Sequence, residues 1–246
     1  MAGERDSIKV DLHVHSEGSY DAKESVEHIL EHAQDIGLDV IAITDHNEIE
    51  KSLEAAEKAD EYDLIGIPGA EVSTADGHLL ALGIEKLPEK GKPFMHTMKN
   101  IREQGGVAII PHPFQRTRHG VKKSKIKDCD AIEVYNSWLF TGWRNRKAKA
   151  YAEKHGYSKV ANSDAHILGT VGKAYTEINT SITDKEELEA EDVLKAIKNG
   201  SNQIHGKRKP VHLSTRDYGK AMLKKIGWFM KETFFLPVKI EKKIFP

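Results

Sequence analysis

The chain has 246 residues, of which 30% are charged and 39% hydrophobic, and its formal net charge is −1. This length suits one α/β domain with a full core, and the small net charge excludes a global field that would recruit nucleic acid. A single cysteine, Cys129, excludes a disulfide framework, and the lack of an apolar leader or long apolar run predicts a cytoplasmic protein without a membrane span.

The N-terminal region predicts a strand that carries two histidines on one face. In Asp11-Leu12-His13-Val14-His15 the two imidazoles are two residues apart, and side chains at that spacing project from the same side of a strand. Imidazole nitrogen is a common ligand of Zn, Fe and Mn. The pair alone is weak evidence, because one ring could be hydrogen-bonded in a core while the other lies at the surface.

Four further apolar runs are followed by residues that can bind metal. The runs are Leu38–Thr44, Leu64–Ala70, Gly106–Pro111 and Ser158–Ser163, and they are followed by Asp45-His46, Glu71, His112-Pro113 and Asp164-Ala165-His166. Such runs are typical of buried parallel strands. Helix-like segments lie between them, the first with Ser25 as its predicted cap. Alternating strands and helices favour a parallel sheet or barrel, with chemistry at the C-terminal strand ends.

Taken together, these motifs resemble those of the PHP (polymerase and histidinol phosphatase) domain family. The matching motifs are Asp11-Leu12-His13-Val14-His15-Ser16, Thr44-Asp45-His46, Gly69-Ala70-Glu71-Val72-Ser73-Thr74, His78-Leu79-Leu80-Ala81-Leu82-Gly83, Pro111-His112-Pro113 and Asn162-Ser163-Asp164-Ala165-His166. The resemblance implies an α/β fold, a distorted (β/α)7 TIM-like barrel, with two or three divalent metal ions (Mn, Fe or Zn) in a cleft at the strand ends. The ligands it implies are His13, His15, Asp21, His46, Glu71, His78, His112, Asp164 and His166.

Some of these implied roles have alternatives. Asp21 could instead cap the following turn, in which case Glu17 is a substitute ligand. A lone histidine on an apolar strand, such as His78, could be a hydrogen-bonded core residue. Asp45 is expected to support a ligand rather than to bind metal itself. Glu71 is expected to bridge two ions.

The size of the implied ligand set indicates more than one ion. Six imidazoles and three carboxylates exceed the coordination number of a single first-row divalent ion, which is about four to six. Two neighbouring ions can activate a hydroxide and neutralise phosphate oxygens, which is the chemistry of phosphate-ester hydrolysis. The candidate catalytic residues are Glu71 and His119; His119, or His78 if it is not a ligand, is expected to protonate the leaving oxygen.

A basic segment follows His112 and offers candidate substrate-binding residues. They are Arg116, Arg118 and His119, with Lys122 and Lys123 close by in the sequence. Arginine provides a two-pronged hydrogen-bond donor for phosphate, although a run of charges can also be a solvated face. Asn136 and Trp138, after the predicted strand Ala131–Tyr135, are further cleft candidates.

The predicted function is that of a metal-dependent phosphoesterase, and a phosphoric monoester hydrolase is favoured. Its substrate is expected to be a small phosphorylated metabolite or nucleotide. The alternatives are a 5′-3′ exonuclease-type phosphodiesterase acting on oligonucleotides and a non-catalytic PHP binding module.

The C-terminal part differs from the rest in charge. We predict a PHP domain over residues 1–206 and a basic, amphipathic, helical extension over 207–246 that packs on the barrel. From Arg216 to Pro246 there are eight Lys or Arg against three Asp or Glu. Tyr218, Met222 and Ile226 follow helical spacing, so the extension has an apolar face. The alternative is that it contacts an anionic surface, either membrane headgroups or nucleic acid.

Overall fold

A computed structural model describes residues 7–138, 142–179, 187–200 and 202–208. The described residues belong to one compact unit that ends at Arg208. The predicted extension begins at Lys207, and from residue 209 onward it lies outside the described residues. Within the described part, no helix is both long and apolar enough to cross a bilayer.

The chain alternates between strands and helices, with a run of strands in its middle. The strands are β1 Ser7–Val14, β2 Val40–Ile43, β3 Ile65–Gly66, β4 Gly69–Thr74, β5 Gly77–Leu82, β6 Val107–Ile110, β7 Ala131–Asn136, β8 Ser158–Asn162, β9 Ala174–Asn179 and β10 Asn202–Gly206. The helices are α1 Val26–Asp35, α2 Glu50–Lys58, α3 Phe94–Glu103, α4 Trp143–His155 and α5 Ala190–Asn199. The predicted mixed α/β class is therefore confirmed.

The first sheet has the strand order β10-β9-β1-β2-β3, with β1 at its centre. Strand β1 runs parallel to β2 and antiparallel to β9. Its apolar side chains Val10, Leu12 and Val14 are fully buried, and so are Asp11 and His13 between them. From Val10 onward, both faces of β1 are therefore covered.

The second sheet has the strand order β4-β5-β6-β7-β8. Strand β5 pairs antiparallel with β4 and β6, whereas β7 pairs parallel with β6 and β8. Two isolated parallel bridges connect the sheets, one from Val14 to Ala165 and the other from His46 to Glu71. Both bridges lie where residues with metal-binding side chains occur.

The expected TIM-like barrel is not confirmed, because the ladders of the described strands form two separate sheets with several antiparallel pairs. The predicted single strand Leu64–Ala70 is also wrong, since β3 ends at Gly66 and β4 begins at Gly69. Pro68 lies between them and has no N–H to give to a ladder. Gly69 N donates instead to Ser52 Oγ at 2.7 Å. Glu71 consequently lies within β4 rather than after the end of a parallel strand.

Helix α1 confirms the predicted cap at Ser25. The Oγ of Ser25 accepts a hydrogen bond from His28 N at 3.4 Å. The residues on its buried face are Val26, Ile29, Leu30 and Ala33. This face packs with strand residues such as Ile41 and Ile43 in one apolar cluster, which fixes β2 and the loop that follows it.

Candidate metal centre

All nine residues implied as ligands come together where the two sheets meet. His13 lies in β1 and His15 just after it, while Glu71 and His78 lie in β4 and β5. The remaining five lie in loops: Asp21, His46, His112, Asp164 and His166. We call this group the histidine cluster; its members are His13, His15, Asp21, His46, Glu71, His78, His112, Asp164 and His166.

Glu71 is the centre of the histidine cluster and is fully buried. Its Oε1 lies 2.7 Å from His78 Nδ1 and 2.9 Å from His112 Nε2. The other oxygen, Oε2, lies 3.0 Å from His46 Nδ1. Two more imidazoles, those of His13 and His15, place Nε2 3.4 Å from the same Oε2. One carboxylate is thus shared among five imidazoles, which is the position expected of a bridging ligand.

Asp164 holds the opposite side of the histidine cluster. Its Oδ1 lies 3.5 Å from His13 Nε2, 3.4 Å from His15 Nε2 and 3.5 Å from His166 Nδ1. Like Glu71, Asp164 is fully buried. The imidazoles of His13 and His15 therefore lie between two carboxylates, one from each side.

Asp21 joins the cluster from the loop after β1. Its Oδ2 lies 3.2 Å from His166 Nε2 and 3.6 Å from His46 Nε2. The substitute candidate Glu17 instead lies 3.4 Å from Lys51 Nζ, in an ion pair outside the cluster. The geometry therefore favours Asp21 over Glu17.

Two imidazole nitrogens in the middle of the cluster, His13 Nε2 and His15 Nε2, are buried without a hydrogen-bond partner. Buried polar atoms are nearly always satisfied, because an unpaired one costs about 1–3 kcal/mol. Four groups of three side chains also place their ligand atoms within 4.8 Å of one another, and the groups share His13, His15, His46 and Glu71. Mixed nitrogen and oxygen donors in this arrangement suit divalent metal.

The protonation of the cluster depends on its two buried carboxylates. Burial alone would lower the pKa of His13, but the charges of Asp164 and Glu71 outweigh burial and raise that pKa well above its usual value. Burial would likewise raise the pKa of Glu71, yet the neighbouring imidazoles, His13 first, hold it well below its usual value. The carboxylates are therefore ionised in the metal-free protein, and a divalent ion competes with protons for this site.

His15 and His46 differ although their rings lie only 4.5 Å apart. Burial, and then the charge of His166, lowers the pKa of His15 to about 3, so that its imidazole is neutral. For His46, burial is outweighed by hydrogen bonds to Asp21 and Glu71, which raise its pKa to about 10. A neutral imidazole is the form that binds metal, so His15 has its metal-binding form without having to lose a proton.

Glu133 is a site residue that the sequence analysis did not single out. This carboxylate lies in β7, is buried, and has Oε1 3.1 Å from His13 Nδ1. It also accepts hydrogen bonds from His112 N at 2.7 Å, Asn136 Nδ2 at 2.8 Å and Asn162 Nδ2 at 2.9 Å. A lone acid in the middle of the apolar run Ala131–Tyr135 was the pattern that could have revealed it, because such a charge needs buried partners.

Ser19 and Asp45 support the histidines from the first sheet. Ser19 Oγ lies 3.1 Å from His15 Nδ1 and accepts a hydrogen bond from His46 N at 3.0 Å. Asp45 accepts hydrogen bonds from the backbone N and the hydroxyl of Ser16, and its Oδ1 is 3.9 Å from His15 Nδ1. This placement agrees with the expectation that Asp45 supports a ligand.

Two of the predicted substrate-binding residues lie at the edge of the histidine cluster. Arg118 Nη1 lies 3.0 Å from Asp164 Oδ2, and its guanidinium is 5.9 Å from the ring centroid of Trp138. The ring of His119 stacks on that of His78 at 5.1 Å. Burial, followed by the charge of His78, lowers the pKa of His119. The side chain of Arg116, the third candidate, lies outside the described residues.

The loop that carries these residues is tightly folded. His119 has a φ of 55° in the left-handed region. A Cβ at Gly120 would collide with the carbonyl oxygen of His112, so only glycine lets the loop pass this close to the cluster. Cavities of about 210 and 380 Å³ open beside Arg118 and His119, and both include Tyr20, His46 and His78. The cluster can therefore be reached from outside.

Comparison with known proteins gives three kinds of match: a family model, a relative in sequence and solved structures. A family model described as PHP-associated matches residues 142–202. An uncharacterized protein of Methanocaldococcus jannaschii, MJ1587, is 32% identical over 152 residues, which cover 57% of this chain and 89% of that protein.

Solved structures share the fold. One is a two-domain protein from Bacteroides vulgatus that contains a predicted PHP-like metal-dependent phosphoesterase; it superposes with a TM-score of 0.66 at 18% identity over 81% of this chain and 65% of that one. Another is PsfC from Pseudomonas syringae, with a TM-score of 0.63 at 17% identity over 89% of this chain and 100% of that one.

Proposed function

The chain belongs to the PHP domain family, and on that premise we propose that it is a phosphoesterase whose divalent metal ions are held by the histidine cluster. The observation that carries the proposal is the convergence of the unpartnered nitrogens His13 Nε2 and His15 Nε2 on Glu71 Oε2. Bound there, divalent ions supply an activated water as the nucleophile and neutralise charge on phosphate oxygens. The mixed nitrogen and oxygen donors suit two or three ions of Mn, Fe or Zn.

The family also bears on how the two sheets are joined. The bridges from Val14 to Ala165 and from His46 to Glu71 link β1 with β8 and β2 with β4 at their ends. Counted through these bridges, seven strands follow one another around the cluster, namely β1, β2, β4, β5, β6, β7 and β8. This supports a distorted seven-stranded barrel with the metal centre at its mouth.

Arg118 orients the phosphate in this proposal. Its guanidinium is held at the edge of the cluster by Asp164, and a guanidinium has five N–H donors in a fixed plane. An Asp164 contact uses only some of them, so the rest can donate to phosphate oxygens. The indole ring of Trp138 packs against this guanidinium, whose Cζ lies 5.9 Å from the ring centroid. Arg116 is proposed as a second phosphate contact from its place in the same loop.

His119 donates a proton to the leaving oxygen in this proposal. It stacks on His78 beside the cluster, at the side where the cavity opens. Its lowered pKa makes the protonated imidazole a stronger acid but the minor form at neutral pH, so proton donation to the leaving alkoxide is expected to increase as the pH falls. His78 contacts Glu71 and is assigned to the metal ions instead.

The substrate that this site supports best is a small phosphate monoester, such as a phosphorylated metabolite or nucleotide. Cavities of about 210 and 380 Å³ match a phosphate and a small leaving group. Hydroxyl and amide groups of Asn47, Ser73 and Thr74 line the larger cavity together with Lys122, so the leaving group is expected to be polar.

The test is phosphate release by protein loaded with Mn²⁺, Fe²⁺ or Zn²⁺. Its substrates are phosphomonoesters, 3′,5′-bisphosphonucleotides, cyclic nucleotides and end-labelled oligonucleotides. Selective monoester turnover is expected, and Glu71→Gln should reduce it to background because the central carboxylate is lost. Glu17→Gln is the matched control, because Glu17 makes its ion pair outside the cluster. Oligonucleotide shortening would replace the proposal with an exonuclease, and bound metal without any turnover would replace it with a binding module.

A further inference from the structure

A separate cavity, of about 530 Å³, lies against helix α4 and shares no lining residue with the histidine cluster. Its walls come from β7, from the first half of α4 and from β10 and the residues after it. We call it the α4 cavity; its polar and aromatic lining side chains are Tyr135, Trp143, Asn145, Arg146, Lys149 and Arg208.

The α4 cavity is positively charged. Arg146, Lys149 and Arg208 line it, and none of its lining residues is acidic. Among the residues that the structure describes, these three cations have no ion-pair partner within 4.0 Å. Helix α4 adds to the field, since it carries five Lys or Arg and one Glu. Like charges gathered without a counter-charge repel one another, and an anion bound between them relieves that repulsion.

Two aromatic rings border the same cavity. Trp143 is 57% exposed, which is unusual for the largest apolar side chain, and Lys147 Nζ lies 5.5 Å from its ring centroid. The ring of Tyr135 lies so close to Gly206 that any Cβ there would collide with it. Flat rings beside cations are the combination that accepts a planar base together with phosphate.

The floor of the α4 cavity is rigid. Asn145 is buried and exchanges two hydrogen bonds with the backbone of Asn136, from Asn136 N at 3.3 Å and to Asn136 O at 3.0 Å. The side chain of Asn136 donates in turn to Glu133 and to Asp164 Oδ2 at 3.0 Å. The first turn of α4 is thus fixed before any ligand binds, which lowers the entropic cost of binding.

We propose that the α4 cavity binds one nucleotide, with its phosphates among Arg146, Lys149 and Arg208 and its base against Trp143. The volume suits a ligand of that size. The cavity holds none of the metal-binding side chains, so the nucleotide is bound there without being hydrolysed. This site goes beyond the phosphoesterase function and is independent of it.

Calorimetric titration of the full chain with ADP tests the proposal. EDTA is included so that no phosphate ester is hydrolysed during the measurement. The wild-type chain is expected to bind one ADP, and Arg146→Glu with Lys149→Glu should weaken binding roughly 100-fold, because two charge-assisted contacts are lost. Lys154→Glu is the control; it reverses one charge, half of the change in the double variant, on an exposed part of α4 that does not line the cavity. It should change affinity by less than about twofold.

A second variant isolates the base. Trp143→Ala keeps all three cations, so it should weaken the binding of ADP while leaving the affinity for inorganic pyrophosphate unchanged. Equal ADP affinity in the charge-reversed and wild-type chains would overturn the proposal, as would the absence of saturable ADP binding. Pyrophosphate binding as tightly as ADP would exclude a base contact, and affinity that rises with the length of oligo-dT would assign the cavity to nucleic acid. Phosphate release should stay at the wild-type level in all three variants, which separates this test from that of the phosphoesterase.

Discussion

The histidine cluster and the α4 cavity both gather ionisable side chains, but they balance charge in opposite ways. In the cluster, acids and imidazoles alternate within about hydrogen-bond distance, and all of them except Asp21 are largely buried. In the cavity, three cations face a space without a carboxylate and stay largely in contact with water. Burial of charge requires partners, whereas exposed charge does not. The first arrangement is therefore completed by a cation, and the second by an anion.

The largest expected effect is the loss of turnover in His119→Asn, which should depend on the leaving group of the substrate and should not occur in variants of the α4 cavity. His119→Asn keeps a residue that tolerates the left-handed backbone but removes the proton donor. Turnover of an alkyl phosphate such as glycerol phosphate should fall by about 10²- to 10⁴-fold. With 4-nitrophenyl phosphate, whose leaving group needs no proton, the loss should be small. An equal loss with both substrates would remove His119 from the role of proton donor, and Arg146→Glu should affect neither.

Metal loading should stabilise the protein through the cluster alone. An ion that binds only the folded chain adds about 2.7 kcal/mol at 100 times its Kd, which is a rise in Tm of roughly 5–10 °C for a domain of this size. Calorimetry of the chain with and without Mn²⁺ or Zn²⁺ measures this rise. The Arg146→Glu, Lys149→Glu chain should show the same rise, and Glu71→Gln should lose most of it. A rise that survives in Glu71→Gln would mean that the ion binds elsewhere.

Glu133→Gln tests a residue that lies between the histidine cluster and the floor of the α4 cavity. The variant should bind metal about 10- to 100-fold more weakly, because Glu133 orients His13 and the backbone of His112 without touching the ion. Metal titration followed by calorimetry reports this affinity directly. Glu177→Gln, on β9 and paired with His205, is the matched control. Unchanged metal affinity in Glu133→Gln would show that the histidines hold their orientation without it.

The smallest expected effect concerns Ser19. Ser19→Ala removes one hydroxyl that contacts His15 and His46, so the free energy of unfolding should fall by about 1 kcal/mol and metal affinity should fall as well. Ser25→Ala removes the cap of α1 and should also cost about 1 kcal/mol, but with no change in metal affinity. Urea denaturation and metal titration together distinguish the pair. Equal metal affinity in both variants would exclude Ser19 from the support of the site.

Much of the histidine cluster could be predicted because its residues lie near apolar runs in the sequence. His13, His112 and Asp164 each occur where a buried strand ends or has just ended. Strand pairing, in contrast, could not be predicted. Nothing in the run Leu64–Ala70 shows that its second half pairs antiparallel with β5, because parallel and antiparallel buried strands have the same apolar pattern.

The support of the cluster and the α4 cavity could not be predicted in this way. Glu133 acts through hydrogen bonds to Asn136 and Asn162, which are ordinary polar residues until the fold brings them together. Tyr135, Arg146 and Arg208 are separated by up to 73 positions in the numbering, and only the packing of β10 beside α4 and β7 makes them neighbours. A pattern read along the chain has no information on such contacts.

The central position of β1 in the first sheet affects how the protein is made. One edge of β1 pairs with β2, which follows within the next 30 positions, but the other edge pairs with β9, where Ser7 meets Asn179. During synthesis from the N-terminus, that edge of β1 has no native partner until most of the chain has left the ribosome. Non-local pairing of this kind slows folding and leaves an apolar strand edge open to association with other chains. Production yield should therefore depend strongly on chaperones and temperature.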